Sequence, residues 1–128
     1  MPDMTKKPYQ MEYVFKASPN ILFGFLTTPS GLSQWFADHV DTKGDTYIFQ
    51  WSGTEERANC VDKIEPEVVR YRWEDSDDSE YFEFKIEKSE VTGDTILYIT
   101  DFAADYELDD NKLLWDNQVQ ELYKRIGG

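Results

Sequence analysis

The sequence predicts an α+β fold in which an antiparallel sheet of about six or seven strands curves around a long C-terminal helix. Short segments between residues 38 and 103 alternate apolar with polar residues and are separated by turns rich in Gly, Pro and Asp, which is typical of an antiparallel meander. The last segment instead repeats apolar residues at helical spacing. A sheet with one aromatic face and a helix with one apolar stripe can bury each other, so we expect them to pack together. The 128 residues are the size of one domain.

A first strand and two short helices are predicted ahead of the meander. Residues 1–8 form a polar tail, and residues 9–16 carry apolar or aromatic side chains at every odd position, as expected of a strand. Ser18 followed by Pro19 predicts a helix start, because the hydroxyl can cap free amides and proline suits the first turn. A Thr-Pro pair marks the end of that helix. The two short helices cover NILFGFLT and SGLSQWF.

Four further segments show strand patterns. Three of them place aromatic or β-branched side chains on one face and mostly polar side chains on the other. The fourth is apolar on both faces, which predicts a more central strand. In chain order the segments are TYIFQWS (46–52), VVRYRWE (68–74), YFEFKIEK (81–88) and TILYITDF (95–102).

The C-terminal segment LDDNKLLWDNQVQELYKRIGG is predicted to be one long amphipathic helix. Asp109 and Asp110 suit its positive N-terminal end, and Lys124 and Arg125 suit its negative C-terminal end. Its apolar stripe recurs at i, i+4, i+7 and i+11 and consists of Trp115, Val119, Leu122 and Ile126.

The net charge of the chain limits the classes of partner that it can bind. Lys and Arg number 13 against 26 Asp and Glu, which gives a net charge of −13. That field repels phosphate groups, so neither nucleic acid nor an anionic membrane surface is a favoured partner. No segment reaches the roughly 20 apolar residues of a membrane span, so no membrane insertion is expected. The N-terminus shows no signal-peptide pattern and the single Cys60 cannot form an internal disulfide, which together predict a cytoplasmic protein.

The sequence shows no catalytic or metal constellation. Asp38 and His39 are adjacent, so on a strand they point to opposite faces and cannot bond to each other. Cys60 has no flanking base that would activate its thiol. The acidic run EDSDDSE (74–80) lacks the glycine and the spacing of a calcium loop and is interpreted as a solvated hairpin tip. Walker, GxGxxG, HExxH and GxSxG motifs are absent from the sequence, so we assign no catalytic residue, metal ligand or cofactor.

Aromatic residues on the inner strand faces predict either a filled core or an apolar cavity between the sheet and the C-terminal helix. Tyrosine hydroxyls and the Gln118 amide would give such a cavity its specificity. Trp35 and Phe36 are expected to close its mouth. The candidate cavity residues are Trp35, Phe36, Trp51, Tyr71, Trp73, Phe82, Phe84, Tyr98, Trp115, Gln118 and Val119.

The order of elements resembles the START-like (SRPBCC, helix-grip) superfamily, and three segments direct the resemblance to the subgroup similar to the heat-shock-protein-90 ATPase activator. SPNILFGFLTTPSGLSQWFAD resembles the helix pair of that subgroup, which ends in Trp-Phe. ANCVDKIEPEVVRYRWED resembles its two strands joined by a Glu-Pro turn, and LLWDNQVQELYKRI resembles its closing helix. The resemblance implies a single START-like domain over residues 9–128 and, most generally, an apolar ligand cavity.

Three functions remain open at this point. The first is a non-catalytic domain that binds a hydrophobic small molecule, either a lipid or an aromatic compound, in that cavity. The second is a chaperone-associated protein-interaction module that docks a basic partner, as the resemblance to the activator implies. The third is an enzyme of the polyketide-cyclase kind, which the superfamily also contains. The absence of an acid and base pair from the sequence favours the first.

Overall fold

The computed structural model describes residues 5–127. Their strands and helices are β1 (Lys6–Phe15), α1 (Pro19–Thr27), α2 (Pro29–Leu32), β2 (His39–Lys43), β3 (Thr46–Trp51), β4 (Thr54–Ile64), β5 (Val68–Trp73), β6 (Phe82–Lys88), β7 (Thr95–Ala104) and α3 (Leu108–Ile126). The seven strands form one antiparallel sheet in the order β1-β7-β6-β5-β4-β3-β2. Buried side chains of α3 pack against one face of the sheet, which we call the inner face. The predicted α+β fold, with two short helices after the first strand and a long C-terminal helix, is confirmed.

The first strand begins earlier than the alternation pattern predicts. Residues 6–8, which the sequence pattern places in a polar tail, pair in register with residues 102–104 of β7. Their side chains are exposed and the pairing is made by the backbone, so apolar alternation could not reveal it. Residues 1–4 of the predicted tail lie outside the described residues.

The second short helix is shorter than the predicted SGLSQWF segment, because α2 ends at Leu32. The backbone amide of Phe36 donates to the Leu32 carbonyl at 2.8 Å, and the chain turns sharply after the helix. α2 also lies so close to α1 that a Cβ at Gly31 would be 2.7 Å from the Phe25 Cα. This tight corner directs Trp35 and Phe36 toward the core, where they are 6% and 4% exposed.

The sheet includes strands that carry little apolar alternation. Within β4 only Ala58 is buried, and the strand is defined by its backbone pairing with β3 and β5. β7 is internal, since it lies between β1 and β6, in agreement with its two apolar faces. The acidic segment 74–80 joins β5 to β6, as its interpretation as a hairpin tip predicts.

The space between the sheet and the middle of α3 is filled by side chains. Val119 and Leu122 of α3 are fully buried and belong to one cluster with Phe15, Phe49 and Phe84 of the sheet. A dense apolar core of this kind leaves no room for a ligand directly beneath Val119. An open cavity between the sheet and α3 is therefore expected only elsewhere along the helix.

Two tyrosine hydroxyls join the sheet to the end of α1. Tyr47 donates to the Thr27 carbonyl at 2.6 Å, and Tyr71 donates to the Leu26 carbonyl at 2.7 Å. The last carbonyls of a helix have no partner within the helix, so these hydroxyls satisfy groups that would otherwise be buried unpaired. Tyr47 and Tyr71 therefore stabilise the fold by fixing the end of α1, from which the corner formed by α2 begins.

Candidate functional site

A cavity of about 790 Å³ opens beside α3, between the chain that follows α2 and the ends of β3 to β6. Its outer rim includes Leu114, which is 59% exposed. Aromatic rings make up most of its apolar wall. They are those of Trp35, Phe36, Trp51, Trp73, Phe82 and Trp115.

Phe36 lies at the centre of this wall. Its ring is 5.5 Å from that of Trp51, 5.7 Å from that of Phe82 and 5.8 Å from that of Trp115, measured between ring centroids. Its carbonyl accepts a hydrogen bond from the Trp51 indole at 2.7 Å and another from the Gln118 amide at 3.1 Å. One residue thus joins β3 and α3 across the floor of the cavity.

Trp35 is also fixed in the floor. Its indole N–H donates to the Phe25 carbonyl at 2.8 Å, and its ring meets the Phe84 ring edge to face at 5.7 Å. Because both Trp35 and Phe36 are buried and hydrogen-bonded, they form the base of the cavity. The interpretation that they close its mouth is wrong, since the exposed rim is formed by other residues.

A carboxylate faces this aromatic surface. Asp101 follows Leu97 and Ile99 on the inner face of β7 and is mostly buried. One of its oxygens, Oδ2, accepts hydrogen bonds from the Trp115 indole at 3.0 Å and from the Tyr9 hydroxyl at 3.4 Å. The other oxygen accepts one from the backbone amide of Phe102 at 2.8 Å. Burial raises the pKa of Asp101, and the hydrogen bonds only partly offset that effect.

A second carboxylate lies at the open end. Glu56 of β4 pairs in register with Phe49 of β3, so its side chain is on the same, inner face of the sheet. That side chain is exposed, lines the cavity and has no hydrogen bond or ion pair with any described residue. The remaining charged groups of the lining are Asp38, Glu121 and Arg125.

Sequence reasoning missed both Asp101 and Glu56. The alternation of β7 places Asp101 in line with Leu97 and Ile99, and this was the signal that could have identified it. Glu56 lies in a strand whose side chains are charged on both faces, so no periodicity marked it as inward.

The cavity brings together most of the predicted site residues, namely Trp35, Phe36, Trp51, Trp73, Phe82, Trp115 and Gln118. Three others, Tyr71, Phe84 and Val119, are fully buried in the core beside the cavity and do not line it. Tyr98 was expected to face inward, and that expectation is wrong. Its neighbours Leu97 and Ile99 point to the core, so Tyr98 lies on the outer face opposite Glu12 and Lys85.

Asp38 and His39 have separate partners, as their alternation predicts. Asp38 lines the cavity, and its carboxylate accepts a hydrogen bond from the backbone amide of Ser52 at 2.9 Å. This bond stabilises the turn in which Ser52 has a φ of 46°. His39 lies 3.2 Å from the Asp41 carboxylate on an exposed surface. His39 is not among the residues that line the cavity.

Cys60 is partly buried in β4, and desolvation raises the pKa of its thiol. Its Sγ is 3.6 Å from the Asp62 carbonyl, beside an irregularity in the pairing of β4 with β5.

Within residues 5–127, no three His, Cys, Asp or Glu side chains are grouped as metal ligands. Across the same residues, each helix is too short or too polar to cross a membrane.

Comparison with known proteins gives a consistent result for the fold. A family model described as a START-like superfamily domain matches residues 3–128. The solution NMR structure of BfR322 from Bacteroides fragilis is 39% identical over 95% of this chain and 92% of that chain, with a TM-score of 0.69. No curated protein matches the chain.

Two more distant structures share the fold alone. The solution structure of the Aha1 dimer from Colwellia psychrerythraea is 20% identical, with a TM-score of 0.78, over 94% of this chain and 96% of that chain. The crystal structure of CalU16 from Micromonospora echinospora is 13% identical, with a TM-score of 0.72, over 94% of this chain and 76% of that chain.

Proposed function

Since the chain belongs to the START-like superfamily, we propose that it binds a hydrophobic small molecule, without converting it, in the aromatic cavity beside α3. The single observation that carries this proposal is the cavity itself, with a volume of about 790 Å³ and a wall of six aromatic side chains. Cavities of roughly 300–1,000 Å³ with mostly apolar walls are the usual form of small-molecule sites.

The floor of the cavity is held in place by contacts within the protein itself. Phe36 is fixed by ring contacts and by the two hydrogen bonds to its carbonyl, and Trp35 is fixed by its bond to Phe25. Binding to a preformed floor avoids much of the entropy lost when side chains are ordered by a ligand. This supports a site that holds an aromatic or aliphatic body by shape and apolar contact.

All 4 tryptophans of the chain line the cavity, so tryptophan fluorescence reports on it directly. We expect decanol, as a lipid-like probe, or naphthol, as an aromatic probe, to change that fluorescence saturably. Native mass spectrometry of the protein purified from its host should also show a retained apolar compound. If neither probe binds and no compound is retained, the proposed function is wrong.

Two neighbouring leucines of α3 allow binding in the cavity to be distinguished from binding elsewhere on the helix. Leu113 and Leu114 are each 59% exposed, but Leu114 lines the cavity and Leu113 does not. Leu114→Asp should weaken binding of the neutral probes roughly five- to tenfold, because apolar contact is replaced by a charge. Leu113→Asp adds the same charge and should leave the affinity unchanged. Equal effects of the two substitutions would contradict the assigned site.

A second candidate function is catalysis of the polyketide-cyclase kind, and the position of Asp101 favours it. Its carboxylate is in the cavity wall, and the Tyr9 hydroxyl bonds to it at 3.4 Å. A buried carboxylate with a raised pKa suits general acid or base chemistry. Asp101→Asn would then abolish turnover of a bound polyketide while leaving its binding intact. Unchanged turnover in that variant would contradict this second function.

A further inference from the structure

We propose that the ligand is an organic cation, an amine or quaternary ammonium with an apolar body, whose charge lies beside Asp101. This inference rests on the proposed function and names the class of ligand for the same cavity. It follows from the charges of the cavity wall, which the apolar character of the site does not explain.

The Asp101 carboxylate has no cationic partner among the described residues. Its donors are the Trp115 indole, the Tyr9 hydroxyl and the Phe102 amide, all of them neutral. Lys6 is near enough to lower the pKa of Asp101, but it forms no ion pair with that carboxylate, and its Nζ lies 3.6 Å from the Glu80 carboxylate instead. A mostly buried carboxylate without an ion-pair partner in direct contact is energetically costly, so a cationic ligand would relieve that cost.

The rest of the rim is acidic as well. Glu56 faces the cavity with no partner among the described residues, and Asp38 and Glu121 also line it. Arg125 is the one cationic side chain in the lining, and Glu121 bonds to Lys124 at 3.1 Å outside it. An anionic head group would therefore meet several carboxylates, whereas a cationic one would be attracted to them.

The aromatic wall favours the same charge. Tryptophan faces attract a cation through the ring quadrupole, and quaternary ammonium groups are commonly recognised by aromatic rings of this kind. Trp115 supplies both features, because its ring lines the cavity while its N–H donates to Asp101. The net charge of −13 adds an overall field that draws cations to the protein.

Three probes with the same apolar body test the inference. They are phenylpropyl-trimethylammonium, its neutral isostere with carbon in place of nitrogen, and 4-phenylbutanoate, each titrated by tryptophan fluorescence. We expect the cation to bind roughly tenfold more tightly than the neutral isostere, with the carboxylate weakest of all. Equal affinities for the three probes would overturn the inference and leave the proposed function standing. Binding of none of them to a protein that binds decanol or naphthol would also overturn the inference and leave the proposed function standing.

Two substitutions that each remove one negative charge distinguish binding at a specific site from general attraction of cations to an acidic protein. Asp101→Asn should lower the affinity for the cation roughly fivefold or more and leave the neutral isostere unaffected. Asp78→Asn, in the exposed loop between β5 and β6, removes the same charge at a residue outside the cavity lining and should change neither affinity. Equal effects of the two variants on the cation would contradict the role of Asp101.

A third variant keeps the test valid if Asp101→Asn does not fold. Glu56 is exposed, so Glu56→Gln should fold normally and also weaken binding of the cation relative to the neutral isostere. Unchanged selectivity in a folded Glu56→Gln protein would contradict the contribution of the rim.

Discussion

The rings of Phe36 and Trp115 stack at a centroid distance of 5.8 Å and an interplanar angle of 27°. Phe36 lies in the turn that follows α2, and Trp115 lies in α3, so this contact joins that turn to the C-terminal helix across the cavity floor. Trp115 in turn donates to Asp101 on β7. The geometry of the cavity thus depends on packing that also stabilises the fold.

Phe36→Ala should be strongly destabilising. The substitution removes the ring that contacts Trp51, Phe82 and Trp115 and leaves a void in the core. We expect the free energy of unfolding to fall by about 3–5 kcal/mol, measured by urea denaturation. Tyr106 is 54% exposed, so Tyr106→Ala is the control and should cost about 1 kcal/mol or less. Similar losses in both variants would contradict the central position of Phe36.

Gly31→Ala and Gly24→Ala should have opposite effects. A Cβ at Gly31 would lie 2.7 Å from the Phe25 Cα, so the alanine must force α1 and α2 apart. We expect a loss of about 1–3 kcal/mol in the free energy of unfolding. Gly24 lies within α1 with open space around it, and alanine there should stabilise the protein by about 0.5–1 kcal/mol. Stabilisation by both alanines would show that the corner is not tightly packed.

Tyr71→Phe should reduce stability without changing ligand binding. The variant leaves the Leu26 carbonyl, at the end of α1, without the hydroxyl that donates to it. A loss of about 1–3 kcal/mol in the free energy of unfolding is expected, while decanol affinity stays unchanged because Tyr71 does not line the cavity. Tyr81→Phe is the control, since its ring contacts Arg70 and Phe102 and its hydroxyl makes no hydrogen bond with a described residue. A lowered decanol affinity in Tyr71→Phe would place that residue in the site after all.

Ionisation of Asp101 should lower the free energy of unfolding as the pH rises from acidic values. Burial raises the pKa of Asp101 in the folded state above its ordinary value, while the hydrogen bonds from the Phe102 amide, Trp115 and Tyr9 and the charge of Lys6 partly oppose the rise. The folded state therefore binds the proton more tightly than the unfolded state does. The wild type should lose stability relative to Asp101→Asn as the pH rises from the ordinary aspartate pKa through the raised one. Urea denaturation across that range measures the difference.

Asp94 provides the comparison of opposite sign. Its hydrogen bond from Lys16, together with one from Thr92, lowers the pKa of Asp94. Its contribution to stability is present above the ordinary aspartate pKa and is lost as the pH falls through the lowered one. Asp94→Asn should therefore reduce stability only at the higher pH. If the two variants showed the same dependence on pH, the assigned environment of Asp101 would be wrong.

The fold was predictable from the sequence because aromatic alternation and the stripe of α3 are strong signals of burial. The same alternation identified Trp51, Trp73 and Phe82 as inward residues. It could not orient β7, whose two faces are both apolar, and Tyr98 was therefore assigned to the wrong face.

The polar part of the site was harder to predict, since it depends on tertiary packing. Asp101 is a single acid in an apolar strand, and its burial becomes evident only when α3 places Trp115 over it. Glu56 becomes inward only through its register with Phe49, which its charged strand does not encode. The separation of core from cavity along α3 likewise depends on how the chain turns after Leu32.

We propose that hydrophobic ligands occupy the cavity lined by the four tryptophans. The indole N–H signals of those tryptophans, followed in a heteronuclear NMR titration, test this proposal most directly. On addition of decanol or naphthol, we predict saturable shifts of the indole signals of Trp51, Trp73 and Trp115. The backbone amides of Glu87 and Tyr98, in β6 and β7 outside the cavity lining, should stay unchanged. Indole signals that do not move with either probe, or shifts confined to Glu87 and Tyr98, would contradict the claim.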